Sequence, residues 1–256
     1  MASAPASSDH KTDLSRSTCA FMTIIRKSSE RGHVDLGWLN SHHSFSFGHY
    51  YDPKFMGFGS LRVINEDRIA PGQGFPTHSH ANMEIVTYIV EGQLEHRDSL
   101  GSGSVIEAGE IQCMSAGSGI SHSEYNPSAT EPVHLLQIWI EPDQFDLKPG
   151  YFQQSVGVDR DFRGSKLIAS RDGRDGSILL HASSDLWVGA LEKNQEACHQ
   201  IIPGRQVWIQ IISGSIIVNE LKLSTGDGLG IDGAFDPLYL CGQSESHFLI
   251  FDIDKK

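Results

Sequence analysis

Cysteine is scarce in this 256-residue chain: Cys19, Cys113, Cys198 and Cys241 lie far apart and form no CxxC pair. That spacing argues against a disulfide framework and fits reduced thiols in a cytoplasmic chain, each serving as a small buried hydrophobe. No window approaches the roughly 20 apolar residues that a membrane-spanning helix requires. Basic residues are outnumbered 20 to 32 by acidic ones, giving a net charge of −12 dispersed along the chain. A phosphate-backbone partner needs a basic patch, so direct nucleic-acid binding is not expected, although contact with another protein is compatible with this charge. Helical periodicity is nearly absent. There is no Ser-His-Asp order, P-loop or GxGxxG context, so hydrolase, kinase and dinucleotide-binding readings have no support.

Glycine is abundant, at 26 residues, and so are short runs rich in Val, Ile, Tyr and Phe between Gly, Asn, Asp and Pro clusters. SLRVINEDRIAPGQG, MEIVTYIVEG, GSVIEAGEIQCM and HLLQIWIEP are examples. The pattern is that of an all-β sandwich or barrel, with glycines supplying positive φ at hairpins and bulges. The second half repeats the plan of the first. Residues 206–232 can be laid on 84–114 so that Gly92 meets Gly214, Gly109 meets Gly226 and Glu110 meets Asp227; VHLLQIWI at 133–140 then matches SHFLIFDI at 246–253. Two related β-units joined around residues 142–165 follow from this self-similarity. The Ser/Ala-rich residues 1–21 lack the apolar core of a signal peptide and read as a disordered tail, with Met22 an alternative to Met1 as the start. We therefore divide the chain into tail (1–21), N-terminal metal-binding unit (22–145) and C-terminal unit (146–256). A monomer is expected, since two barrels can cover each other's exposed sheet faces.

The chemistry gathers in the N-terminal unit. His78-Ser79-His80 follows the turn-rich APGQGFPT at the mouth of a predicted strand. In an extended strand, residues two apart point to the same side, so two imidazoles at i and i+2 can converge on one ion. His122-Ser123-Glu124, after the glycine-rich SAGSGIS, is a second such pair. Three imidazoles and one carboxylate make a mixed N/O donor set suited to Fe, Mn, Ni, Co, Cu or Zn. The C-terminal unit offers nothing equivalent: Gln200 and Ile202 fall opposite the two histidines and Gln206 opposite Glu84, while His199 and His247 have no acidic partner at ligand spacing. His96 and His134 read as strand residues without partners. Among His42, His43 and His49, in the aromatic-rich SHHSFSFGHYY, packing or surface roles are expected, with one a candidate pocket wall.

The joint pattern resembles the first cupin motif, and the wider text resembles the pirin family of bicupins. GFPTHSHANMEIVTYIVEG and QCMSAGSGISHSEYN are similar to its two signature blocks, and RGHVDLGWLNSHHSFSFGHYYDPKFMGFGSLRVINED resembles the bacterial members with quercetin 2,3-dioxygenase activity. The resemblance covers roughly residues 22–256. It implies two antiparallel jelly-roll barrels with a few short helices, the second barrel degenerate and without metal. It also implies a metal held by His78, His80, His122 and Glu124, iron first among the candidates. General cupins use the first-motif glutamate, here Glu84, as a ligand. The pirin pattern instead makes Glu84 an inward residue supporting the ligands through hydrogen bonds.

An ion with four protein ligands keeps an open position, as a reactive site requires. The resemblance implies oxygenolytic cleavage of the heterocyclic ring of a flavonol such as quercetin, with O2 consumed and carbon monoxide released. In that scheme Glu124, on loosening from the metal, takes the substrate's hydroxyl proton. A flat aromatic substrate needs an apolar slot, for which Phe45, Phe47, Phe75, Met83 and Met114 are candidates. Two alternatives are carried beside this one. The first is a redox-sensing, metal-binding regulatory protein that acts on a protein partner, as nuclear pirins imply. The second is a metal-dependent enzyme with a different physiological substrate.

Overall fold

A computed structural model describes residues 22–157, 162–233 and 237–255, so the tail expected over 1–21 lies outside the described residues. The chain folds as two β-sandwiches, each a seven-stranded sheet packed with a four-stranded one, which is the expected all-β bicupin architecture. Helix among the described residues is confined to single 3-10 turns at Ser28–Glu30 and Arg174–Gly176. Among the described residues no helix is long and apolar enough to cross a membrane. Strand pairing is antiparallel except between Gly164–Ser170 and the short Ile178–Leu179.

The repeat seen in sequence marks equivalent places in the two sandwiches. Gly92 and Gly214 each turn a long strand, Glu84–Glu91 or Arg205–Ser213, into the next strand of the opposing four-stranded sheet. Their φ values are 76° and 75°. A Cβ at Gly92 would meet the Pro132 carbonyl oxygen at 2.7 Å, and one at Gly214 would collide with the Glu245 carbonyl. Both positions therefore need glycine for conformation and for close approach.

Sheet membership crosses the boundary drawn at 145/146. Met22–Arg26 pairs with Gly228–Asp232 at the edge of the C-terminal sheet. Gly150–Ser155 pairs with Glu110–Ser115 at the edge of the N-terminal sheet.

The largest apolar cluster lies between the two units. Leu61, Ile64, Val86, Tyr88 and Ile138 of the N-terminal sheet meet Trp208, Leu249 and Phe251 of the C-terminal one. Trp208 is fully buried, its ring 4.7 Å from Phe45 and 5.5 Å from Phe58. Side chains of this size each contribute about 1.5–3 kcal/mol when buried, so the units are bound to each other by core-like packing. Hydrogen bonds from Ser44 to Gln210 (2.9 Å), between Ser60 and Ser184 (2.9 Å) and between Tyr88 and His247 (3.0 Å) fix their register.

Two expectations change here. Phe45 belongs to this interface and lines no substrate slot. The three described cysteines are free thiols, but only Cys113 is a buried hydrophobe; Cys198 is exposed and Cys241 half-buried.

Candidate metal centre

The four-stranded sheet of the N-terminal sandwich turns one polar face inward. In it, Ile120–Tyr125 lies between Gly74–His80 and Gln93–Asp98, all antiparallel. His122 stands opposite His78 on one side and opposite Asp98 on the other. Ile120 faces His80, and an irregularity between His122 and Glu124 sets Glu124 opposite Phe75 on one side and His96 on the other. Period-2 alternation thus brings three i, i+2 pairs, His78/His80, His96/Asp98 and His122/Glu124, onto one surface.

His78, His80 and His122 converge as expected, with ring centroids 4.5 to 5.0 Å apart. Their ligand-type atoms lie within 4.8 Å of one another. Glu124 joins a second cluster of the same tightness with His122 and His96. His122 is therefore shared by both groups, and among the described residues both lie in the N-terminal unit.

Burial governs the electrostatics of the pocket. It pushes the imidazole of His122 down to about 3 and that of His80 to about 4, and neighbouring imidazoles add to both shifts. Neutral imidazoles keep a lone pair for a cation. Burial raises the Glu124 carboxyl to about 7, and the Asp67 carboxylate pushes in the same direction. Hydrogen bonds from Gln137 and Thr87 pull it back. Gln137 Nε2 donates to Glu124 Oε2 at 2.9 Å, and Thr87 donates to Gln137 Oε1 at 2.8 Å, fixing which way the amide points. Asp67, fully enclosed nearby, is also raised to about 7 by burial.

The donor set fits a metal ion on two counts. His122 Nε2 and Glu124 Oε1 are buried and have no hydrogen-bond partner. Leaving a buried polar atom unpaired costs about 1–3 kcal/mol, and a cation between them would engage both. His78 Nδ1 hydrogen-bonds the Pro76 carbonyl at 2.9 Å. A carbonyl only accepts, so Nδ1 carries the proton and Nε2 presents its lone pair. Neutral imidazoles and a carboxylate together suit a divalent transition metal.

Glu84 does not support these ligands. Its carboxylate accepts from Ser115 Oγ (2.8 Å) and from the His181 backbone amide (3.2 Å). Along Glu84–Glu91 the faces alternate, so Glu84 shares its side with Val86 and Tyr88, toward the C-terminal unit. Ile85 and Thr87 take the pocket side.

Nor are His96 and His134 without partners. His96 Nε2 lies 3.1 Å from Asp98, and its Nδ1 lies 3.5 Å from His122 Nδ1. His134 Nε2 lies 3.0 Å from Glu66, a buried carboxylate that also pairs with Arg31 at 2.8 Å.

Trp139, unnoticed in sequence, forms the apolar wall. Its ring sits edge-on to His80 at 4.9 Å and to Phe47 at 5.4 Å, and its Nε1 is buried without a partner. Met83 and Met114 pack in the same cluster. Phe75 leans instead on Trp38, at 5.4 Å. His43 is buried beside Phe47 with its Nδ1 2.7 Å from Asn65 Oδ1, while His42 stacks on His33.

Comparison with known proteins agrees with this architecture. The Pirin model matches residues 24–140, and the model for the quercetinase C-terminal cupin domain matches residues 167–253. A curated relative from Escherichia coli K12, quercetin 2,3-dioxygenase, is 49% identical over 91% of this chain and 99% of its own length. The chain belongs to the pirin family. Among solved structures, the bacterial pirin YhhW of E. coli in complex with nickel(II) superimposes on this pirin with a TM-score of 0.87 at 48% identity, covering 92% of this chain and all of that one. A quercetin 2,3-dioxygenase structure from Acinetobacter baumannii shares the fold, with a TM-score of 0.75 at 20% identity over 90% of this chain and 85% of that one.

Proposed function

We propose that this pirin is a metal-dependent dioxygenase that opens the heterocyclic ring of a flavonol such as quercetin with O2, releasing carbon monoxide. The observation that carries the reading is the buried, partnerless pair His122 Nε2 and Glu124 Oε1 beside two further imidazoles. The relative named quercetin 2,3-dioxygenase supports the reaction class, and the nickel(II) complex of YhhW supports a divalent transition metal. His78, His80, His122 and Glu124 would hold the ion, with iron and nickel the first candidates. When bound, such an ion supplies Lewis acidity, which lowers the pKa of a hydroxyl that reaches it.

The protein's own groups do the rest. Trp139 beside His80, with Phe47 against it, offers an aromatic wall against which a flat ring system packs. When released from the ion, Glu124 Oε1, bare of hydrogen bonds while Oε2 is held by Gln137, accepts the substrate's hydroxyl proton. The enclosed setting that raises this carboxyl's proton affinity suits it to that task.

The test is to load the purified protein separately with Fe, Ni, Mn, Co or Cu and follow flavonol absorbance with and without O2. O2-dependent loss with carbon monoxide release is expected in at least one metal form. Glu124→Gln should slow that form by about 100-fold or more. If no metal form consumes flavonol faster than metal alone, the dioxygenase reading fails. Retention of a protein partner by the metal-loaded form alone would then favour the regulatory alternative.

A further inference from the structure

The third i, i+2 pair on the inner face, His96 and Asp98, belongs to neither the metal set nor the substrate wall. Its hydrogen bonds nevertheless determine a proton position at the metal site. Asp98 is held from behind: its Oδ1 accepts from the Leu100 amide at 2.9 Å and the Ser102 amide at 3.0 Å. Its Oδ2 faces His96 Nε2 at 3.1 Å, and both side chains are wholly enclosed. A carboxylate only accepts, so His96 Nε2 carries the proton. In a neutral imidazole the other nitrogen is then bare, and His96 Nδ1 is an acceptor.

That acceptor lies 3.5 Å from His122 Nδ1. Two ring nitrogens attract only if one of them carries a proton, so the proton sits on His122 Nδ1. His122 Nε2 keeps its lone pair, and this is the buried atom left without a partner in the metal pocket. The ring of His96 is itself clamped: Tyr151 stacks on it at 4.7 Å, and the Tyr151 hydroxyl donates to Gln153 at 2.9 Å and bonds Ser104. His78 reaches the same tautomer by a simpler route, through the Pro76 carbonyl. Among the described residues the partner of His122 Nδ1 is His96 rather than a carbonyl, so the His96–Asp98 pair stands where one would.

We infer that Asp98 and His96 form a carboxylate–imidazole–imidazole chain that holds His122 in its Nδ1-protonated tautomer and aims Nε2 at the metal. His96 and Asp98 are thus positioning residues. The inference rests on the reading of His122 as a ligand. Outer partners of this kind typically tune metal affinity by about 10- to 100-fold.

Two measurements test it. In 15N-histidine-labelled protein, with and without zinc, long-range 1H–15N spectra read each ring nitrogen directly. Protonated Nδ1 at His122 with protonated Nε2 and bare Nδ1 at His96 is the expected pattern. A proton on His96 Nδ1 overturns the chain, because His122 Nδ1 would then be the acceptor.

The second measurement is the nickel(II) dissociation constant of two variants. His96→Leu removes the acceptor and should weaken binding about 10- to 100-fold. His96→Asn places an oxygen near the position of Nδ1 and should restore affinity to within about threefold of wild type. Unchanged binding by His96→Leu, or equal losses in both variants, overturns the inference; should His96→Leu fail to fold, the spectra decide alone. His122→Ala separates the two levels of argument. If it retains full metal stoichiometry, the ligand reading falls, whereas metal loss there with the wrong tautomer in wild type sinks only the chain.

Discussion

The two barrels share a plan and differ in what fills them. With the glycines aligned, three inward positions of the N-terminal barrel, Thr87, Gln112 and Gln137, correspond to Ile209, Leu229 and Ile250. All three aliphatics sit in the apolar cluster that fills the C-terminal barrel. The N-terminal barrel has no such filling; its apolar clusters are small and lie to either side of the polar face. Gln112 is wholly buried with neither amide atom paired, and Asp67 Oδ1 is likewise unpaired. A close-packed interior stabilises a barrel, whereas unpaired polar groups destabilise it unless something else satisfies them. The C-terminal barrel is filled for stability, and the N-terminal one gives up stability to keep a polar interior. Even its shared histidine positions diverge: His134 pairs with Glu66, while His247, its counterpart, bonds Tyr88 across the interface.

The sharpest way to break this comparison is to remove one histidine from each barrel. His122→Ala should drop metal content from one ion per chain to near zero by elemental analysis. His199→Ala should leave it unchanged, because His199 is buried against Trp187 in the filled barrel. Equal metal loss in both variants would show that the barrels do not divide the work this way.

A smaller effect concerns Glu66. Burial favours its neutral form, but hydrogen bonding from His134 and the charge of Arg31 outweigh burial and lower its pKa from 4.5 to about 2. A depressed carboxyl stabilises the fold above its unfolded pKa and loses that contribution as pH falls through the folded value. Glu66 should therefore account for a loss of about 3 kcal/mol between pH 4.5 and 2, read in urea titrations as the difference between wild type and Glu66→Gln. Glu66→Gln should be less stable at neutral pH and flatter across that window; an unaltered slope would contradict the assignment.

The smallest expected change carries a C-terminal residue into the N-terminal barrel. Gln112→Leu, matching Leu229, should raise the stability of metal-free protein by about 1 kcal/mol, since it removes two unpaired polar atoms. A loss of stability would mean that the amide is satisfied in solution, by water for instance.

Much of this was legible in the sequence. Turn glycines and alternating runs marked the strands, and two i, i+2 pairs marked the converging histidines, because both signals are local. What failed depended on which strands pair and which face turns inward. The side that Glu84 takes depends on the strands beside its own, and nothing local to Phe45 announces the opposing Trp208. His96-Arg97-Asp98 had the same spacing as the pairs that were recognised. That spacing alone does not mark it as part of the site, because the approach of His96 to His122 arises only from the order of strands in the sheet.

The exchanged edge strands bear on how the protein is made. Everything in the N-terminal sheet has been synthesised once residue 155 emerges, so that sandwich can close while the ribosome is still at work. Met22–Arg26, made earlier still, has no strand partner until Gly228–Asp232 arrives some two hundred residues later. The C-terminal sandwich is therefore not a continuous stretch of chain. It begins before its neighbour and finishes after it, and expressing it from the inter-unit linker onward would keep the pairing of Gly228–Asp232 with Arg205–Ser213 but leave its outer side bare.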